Sequence, residues 1–455
     1  MTQDTTQSLD RLTAKLTAVV RDTLETGLAE TEKEDVRLED LERVTRQAIQ
    51  QIGKQYLQLL MATCRPSDLP ARILCRCGGQ AEYVRERAGT VISWLGQVEV
   101  KRGYYLCSRC HHGTYPLDEQ LGFRAGGLSK SLQEGAAMLG VHLPFEEGSE
   151  VFERLTQVAL SDNAIRMATE QIGRERAKMD TQQVDAAWDA EEVALPSDPP
   201  DPPQRLYGSV DGTSVRTEDG WRKPKLGCWY TTESPPPQER PEDWQPQAEE
   251  IYYYADLASA EEFGRLSYVT GRQQGAAQAS ELVFVADGAP WIWELVAMHF
   301  PNAVEILDWY HAAEYVWDVA HTFYGQESPQ AEAWTNECLD HLWHGEFEAV
   351  LDAFRAHRDD AEHADKARKA LNYFTAHRHR MRYPDFRAQG YHIGSGTIES
   401  GCKRVIGARL KQAGMTWTEA GARQVIKARA MYLSHEWDTF CEQRSPLRRS
   451  YGQAA

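Results

Sequence analysis

No stretch of this 455-residue chain stays apolar for the roughly 18 to 20 residues that a membrane-spanning helix requires. Its first residues, MTQDTTQSLDRLTAKL, are polar and include no apolar core of a secretory signal. Both absences point to a cytoplasmic protein with no membrane partner. Positive charge is scarce as well: 50 Lys and Arg against 68 Asp and Glu leave a net charge of −18 at pH 7. That deficit argues against nucleic acid bound over the whole surface, because phosphate contacts draw on Lys and Arg. The deficit is uneven, however. From residue 372 onward 14 Lys and Arg stand against 6 Asp and Glu, while acid gathers in the N-terminal helices and in two Pro-rich stretches. A basic terminal segment on an acidic body is compatible with local DNA contact. Core-forming material is plentiful: a 42% hydrophobic share with 13 Trp and 19 Tyr argues against disorder. The length allows two or three domains.

Hydrophobic spacing divides the chain. Residues 1–63 carry apolar residues three and four apart and read as a helical arm, which either caps the next domain or dimerises. Residues 64–120 are Gly-rich, with β-type alternation in GQVEVKRGYYLC, and predict short strands. Residues 121–180 return to helix, with Ser161 placed to cap the second one; a plain bundle and a helix-turn-helix both fit. Residues 181–205 are acidic and Pro-rich, a linker. In 206–311, RLYGSVDGTSVRT, PKLGCWYTT and EEIYYYADLA predict an antiparallel meander, with the Pro-rich insert at 233–250 as a long hairpin loop. A helix near EEFGRLSYVTG, the strand ELVFVADGA, the helix PWIWELVAMHF and a strand from Asn302 to Tyr310 follow. This order is that of an RNase H-like α/β core. Residues 312–390 read as a helical insertion, 391–434 as the last core helix, and 435–455 as a tail.

Four of the nine cysteines cluster: Cys75-x-Cys77 and Cys107-x₂-Cys110, 29 residues apart. In a reducing compartment this spacing suggests a zinc ribbon before it suggests disulfides. His111 or His112 is an alternative ligand. Arg76, between the first two thiolates, is tolerable if it points outward, and Lys101 and Arg102 on the intervening strands are candidates to face DNA.

Two strands end in Asp-Gly: VDGT with Asp211 and ADGA with Asp287. Singly, each fits a turn closed by an Asx hydrogen bond. A pair on neighbouring strands instead suggests oxygen ligands for hard divalent cations, which act on phosphodiesters. Glu399 lies in GSGTIESGCK, where Gly394, Ser395 and Gly396 allow close backbone approach and Lys403, Arg404, Arg409 and Lys411 follow as candidate phosphate contacts. HRHRMR, with Arg378, Arg380 and Arg382, is a second basic run that is either a solvated face or a DNA contact. Trp291, Trp293 and Trp417 are assigned to the core.

VDGT, ADGAPWIW, LDWYH and GSGTIES together resemble the DDE transposases of bacterial insertion sequences, in particular the Kra-type group, which is similar to the Mutator and hAT-like clade. The resemblance is strongest over residues 206–430. It implies a catalytic triad of Asp211, Asp287 and Glu399 holding two Mg²⁺ (or Mn²⁺) ions, and a structural Zn²⁺ on Cys75, Cys77, Cys107 and Cys110. Asp308-Trp-Tyr-His311 is similar to the clade's C/D-x₂-H signature, making His311 a helper near the scissile phosphate or a support for the last strand. The resemblance further implies cleavage at element ends and strand transfer into target DNA. Its partners would be double-stranded DNA, at terminal inverted repeats and target, and further copies of the chain, in a nucleoid-associated bacterial setting. Two other readings share these features: a domesticated DNA-binding protein that no longer cuts, and an RNase H-like nuclease.

Overall fold

The computed structural model describes residues 3–189, 199, 201–233, 246–326, 328–358 and 363–444. They form two compact units, one running to Thr169 and resuming at Asp438, the other spanning Glu170–Trp437.

In the first unit, α1 (Gln3–Thr31) and α2 (Leu38–Thr63) lie against each other, with Thr23 and Val44 buried. A four-stranded antiparallel sheet follows, in the order β1 (Arg72–Leu74), β2 (Gln80–Ser93), β3 (Gly96–Cys107), β4 (Gly113–Thr114). The sequence predicts short strands here. Instead β2 and β3 run for 14 and 12 residues, because no proline removes a ladder donor between Gln80 and Cys107. Val91, Val98 and Val100 on their inner face pack with Met61 of α2 and with Leu117 of α3 (Pro116–Leu121). Helices α4 (Lys130–His142) and α5 (Phe145–Thr156) follow, then α6 (Asp162–Asp189), which crosses from one unit into the other. The Ser161 hydroxyl accepts the Ala164 amide at 3.1 Å, the expected cap. α6 continues to Asp189, beyond the predicted linker boundary at 181, since TQQVDAAWD contains neither Pro nor Gly to stop it. The rest of that Pro-rich stretch lies largely outside the described residues, as does the core of the 233–250 insert. Among the described residues, no helix is long and apolar enough to cross a membrane.

The second unit is built on a mixed five-stranded sheet. Its strands are β5 (Arg205–Gly212), β8 (Lys225–Thr232), β9 (Ala248–Asp256), β10 (Glu281–Ala286) and β11 (Val304–Leu307), ordered β9-β8-β5-β10-β11. A small hairpin, β6 (Val215–Thr217) with β7 (Gly220–Arg222), stands between β5 and β8. β5, β8 and β9 pair antiparallel, as the meander reading expects, while β10 and β11 run parallel to β5. Parallel pairing requires crossover connections, and α7 (Ala260–Gln273) and α8 (Pro290–His299) provide them. Counting only sheet strands in chain order, the arrangement is 3-2-1-4-5, the RNase H-like order. Trp229, Tyr254, Phe263, Phe284 and Phe300 fill one face as an aromatic core.

Beyond β11 the described residues are mainly helical: α9 (Trp309–Tyr324), α10 (Pro329–His344), α11 (Phe347–Arg355), α12 (Ala364–His377) and α13 (Tyr383–Ala388). Then come α14 (Gly396–Gly401), a π-helical turn at Cys402–Gly407, α15 (Ala408–Leu410), α16 (Glu419–Leu433) and α17 (Trp437–Gln443). The predicted strand to Tyr310 ends at Leu307 instead. Asp308 caps α9 through its side chain and so stops the strand.

Candidate functional site

The four clustered cysteines come together at the end of the β2–β3 hairpin. Their sulfurs all lie within 4.8 Å of one another, and neither His111 nor His112 belongs to the group. Cys75 Sγ stands 3.6 Å from Cys110 Sγ, and Cys77 Sγ stands 3.6 Å from Cys107 Sγ. These gaps far exceed a disulfide bond of about 2.05 Å. They match the edge of about 3.8 Å of a tetrahedron with Zn–S bonds near 2.3 Å. Each cysteine turn bends on a left-handed residue directly after its second cysteine, Gly78 at φ 79° and His111 at φ 55°. The backbone amides of Cys110 and Arg109 lower the Cys107 thiol to about 6, whereas at Cys110 the His112 amide is outweighed by the neighbouring thiols and burial, which raise it to about 12, so the metal-free cluster holds its thiols unequally. The geometry of the cluster is consistent with a structural Zn²⁺. Arg76 points outward to Glu119 at 3.1 Å. Arg102 does not face solvent: it is buried, ion-paired with Asp118 and stacked over Tyr115 at 4.2 Å, which corrects its assignment as a DNA contact.

The carboxylates gather at one end of the second unit's sheet. Asp211 lies at the end of β5, and Asp287 and Asp308 directly follow β10 and β11, its parallel neighbours in order. Asp211 Oδ1 accepts the Gly212 amide at 2.6 Å, and its Oδ2 lies 3.4 Å from the Cys402 thiol. Asp287 Oδ1 accepts the Ala289 amide at 2.9 Å. Burial raises the Asp287 carboxyl above its ordinary range; the Ala289 amide opposes that shift and the Asp211 charge adds to it. Two carboxylates that repel each other in a half-buried site are stabilised by a shared cation.

Asp308 behaves differently. Fully buried, it accepts from the Tyr310 and His311 amides, from His311 Nδ1 at 2.6 Å, and from the Ser395 amide and hydroxyl at 2.8 and 3.0 Å. Burial pushes Asp308 up, but the His311 ring and the Ser395 amide outweigh it and hold it below its ordinary value. The Asp308 hydrogen bond in turn lifts His311 to about 9, against burial. His311 is therefore a cation at neutral pH, and the Asp287 carboxylate is among the charges that act on it.

Ser395 ties the GSG loop to Asp308 and so delivers α14, which carries Glu399, to the site. Ligand atoms of Asp308, His311 and Glu399 lie within 4.8 Å of one another. The role of Ser395, the Cys402–Asp211 contact and the saturation of Asp308 have no local signal in the sequence.

The predicted cationic residues divide. Lys403, Arg404 and Lys411 are exposed; Lys403 Nζ is 4.0 Å from Glu399, and Lys411 bonds the Thr213 hydroxyl. Arg409 is not exposed. With 0% accessibility, it lies under the Trp417 ring at 4.9 Å, and burial and Arg429 lower it to about 10. It is a core residue and cannot reach a phosphate. In the HRHRMR run, Arg378 pairs with Glu348 at 2.6 Å and Arg382 is exposed near Asp385. Arg380 is held at Glu305 of β11, 2.6 Å away, and over Trp293 at 4.2 Å, so it anchors the insertion to the sheet. Trp293 and Trp417 are buried as expected; Trp291 is half-buried.

No curated protein matches the chain. Residues 253–438, from β9 through the helical region and α16, match the model of the Uncharacterised protein family (UPF0236).

Proposed function

We propose that this protein is a DDE transposase, cutting DNA at element ends and joining the freed ends to target DNA through Asp211, Asp287 and Glu399. The observation that carries the reading is positional. Asp211 and Asp287 end adjacent central strands of a sheet ordered 3-2-1-4-5, and Glu399 returns to that end on a helix after a long helical insertion. In an open α/β sheet, the carboxyl ends of the strands are where ligands bind.

Asp211, Asp287 and Glu399 are the kind of ligand divalent cations take, although among the described residues the ligand atoms of Glu399 lie within 4.8 Å of those of Asp308 and His311 rather than in one group with Asp211 and Asp287. They offer hard oxygen donors, and the second oxygen of Asp287 has no partner among the described residues. When bound, two Mg²⁺ or Mn²⁺ ions would activate the attacking oxygen and stabilise the leaving one. Asp211 and Asp287 would hold both ions, and Glu399 the second. Cys402 and the Gly212 amide fix the Asp211 carboxylate, and the Ala289 amide fixes Asp287. His311, charged and oriented by Asp308, stands ready to stabilise negative charge developing on a phosphate oxygen. Lys403, Arg404 and Lys411 offer exposed cations for the DNA backbone beyond the site.

The test is cleavage of duplex DNA that flanks the gene, with Mg²⁺ or Mn²⁺, by wild type and by Asp287→Ala. Wild type should cut at the element end, and the variant should be slower by about a thousandfold or more. Equal cutting by both would remove Asp287 from the chemistry. Binding without cutting by either would favour a DNA-binding protein derived from such an enzyme.

A further inference from the structure

Tyr373 lies on α12, in the helical insertion, yet its ring reaches the turn that carries Asp287. A Cβ placed on Gly288 would meet the Tyr373 hydroxyl oxygen at 2.2 Å, so only glycine lets the phenol sit there. Gly288 stands between Asp287 and Ala289, whose amide holds Asp287 Oδ1. The ring itself is locked. It stacks on Tyr315 of α9 at 4.4 Å with an interplanar angle of 1°, and His377 packs beside it at 4.7 Å. Only the hydroxyl can turn, and it has no hydrogen-bond partner among the described residues.

Burial, and then the Asp287 charge, push this phenol well above its ordinary range, so it remains an un-ionised donor. The carboxylates beside it would serve as acceptors, but among the described residues none bonds to it. A fixed and unspent O–H beside metal-binding carboxylates suits an oxygen of the substrate. A neutral donor has a further advantage there: unlike Lys or Arg, it does not compete with metal ions for Asp211 and Asp287.

We infer that the Tyr373 hydroxyl binds a non-bridging oxygen of the phosphate on which Asp211, Asp287 and Glu399 act, so that the helical insertion completes the active site. The inference rests on the proposed function. A purely structural Tyr373 would need its ring against Gly288 and no hydroxyl. Tyr373→Phe keeps that ring and removes only the donor.

The experiment uses the full chain and compares wild type with Tyr373→Phe in single-turnover cleavage of the flanking duplex with Mg²⁺. The variant should melt at the wild-type temperature and cut about 10- to 100-fold more slowly, the loss of one hydrogen bond to a charged oxygen. A methylphosphonate at the scissile phosphate, tested as each diastereomer, reports which oxygen is bound. In one diastereomer wild type should lose this contact and the variant should lose nothing further. A wild-type rate for Tyr373→Phe, or penalties that multiply in both diastereomers, would overturn the assignment. If wild type itself does not cut, the carboxylate reading fails separately, and affinity for the same duplex in Ca²⁺ decides on Tyr373. Binding weakened about threefold or more by Tyr373→Phe sustains the contact, and equal binding, or none by either protein, overturns it.

Discussion

Asp308 and His311 show how a single side chain acquires a role from what surrounds it. Asp308 sits in the same row of strand ends as Asp211 and Asp287, yet its oxygens are occupied by two backbone amides of α9, the His311 ring and Ser395. It is a positioning residue for His311 and for the loop that leads to Glu399. The pair also ties stability to pH. His311 has its folded value raised to about 9, so its contribution is complete below its ordinary value of about 6.5 and is lost as pH rises through 9. Asp308 is held low, so its contribution is present above its ordinary value of about 3.9 and is lost as pH falls through the lowered one. In a series of melting temperatures, Asp308→Asn should be most damaging near pH 6, and its gap from wild type should narrow above pH 9. A gap independent of pH would dissociate His311 from Asp308. The alkaline limb of DNA cleavage should also move from about 9 toward 6.5 in this variant.

At the scale of elements, the β2–β3 hairpin has a small inner face and depends on its ends. One end carries the cluster in which Ile73, Ala81 and Tyr105 pack around buried Cys75 and Cys107. So small a core rarely suffices alone, and a metal on the four thiolates would supply the missing stability. Purified protein should contain about one Zn²⁺ per chain. Chelation, or Cys107→Ser, should abolish hydrogen-exchange protection of β2 and β3 while leaving β5 and β10 protected. Protection of the hairpin in metal-free protein would show that its apolar packing is enough. The insertion illustrates a different kind of element: Arg380 is spent on Glu305 and Trp293, and α12 is thereby fixed against the sheet, with Tyr373 on its site-facing side.

At the scale of the whole molecule, the second unit is tied together by charges buried far apart in sequence. Lys427 of α16, 1% exposed, bonds Asp180 of α6 at 2.6 Å and Asp256 of β9 at 2.8 Å. Arg423 holds Asp256 with two nitrogens, at 2.6 and 3.1 Å. Arg176 joins Asp180, Glu436 and the Tyr252 hydroxyl. Every charge has an opposite partner, which is what makes burial tolerable. Replacing Lys427 by Met leaves Asp180 and Asp256 short of compensation, and should cost about 3 to 5 kcal/mol in chemical denaturation of the unit. A loss below about 1 kcal/mol would mean that water already reaches these groups.

Local chemistry in the sequence was enough to establish much of this protein. Apolar runs that end in Asp-Gly mark β5 and β10 with Asp211 and Asp287 at their tips, and period-2 and period-3.6 patterns distinguish the meander from the helices around it. The spacing of Cys75, Cys77, Cys107 and Cys110 marks a four-cysteine cluster, because the β-type sequence between the two pairs predicts a hairpin whose open end brings them together. Only tertiary structure decided the rest. Arg409 looks like an exposed cation until Trp417 covers it. Arg380 looks free until Glu305 is brought beside it, 75 residues away. Ser395 reaches Asp308 across 87 residues, and Tyr373 reaches Gly288 only when the insertion packs against the sheet. Sequence pattern reports how each residue relates to its neighbours along the chain, whereas burial, partnership and charge state depend on groups that folding alone brings within a few ångströms.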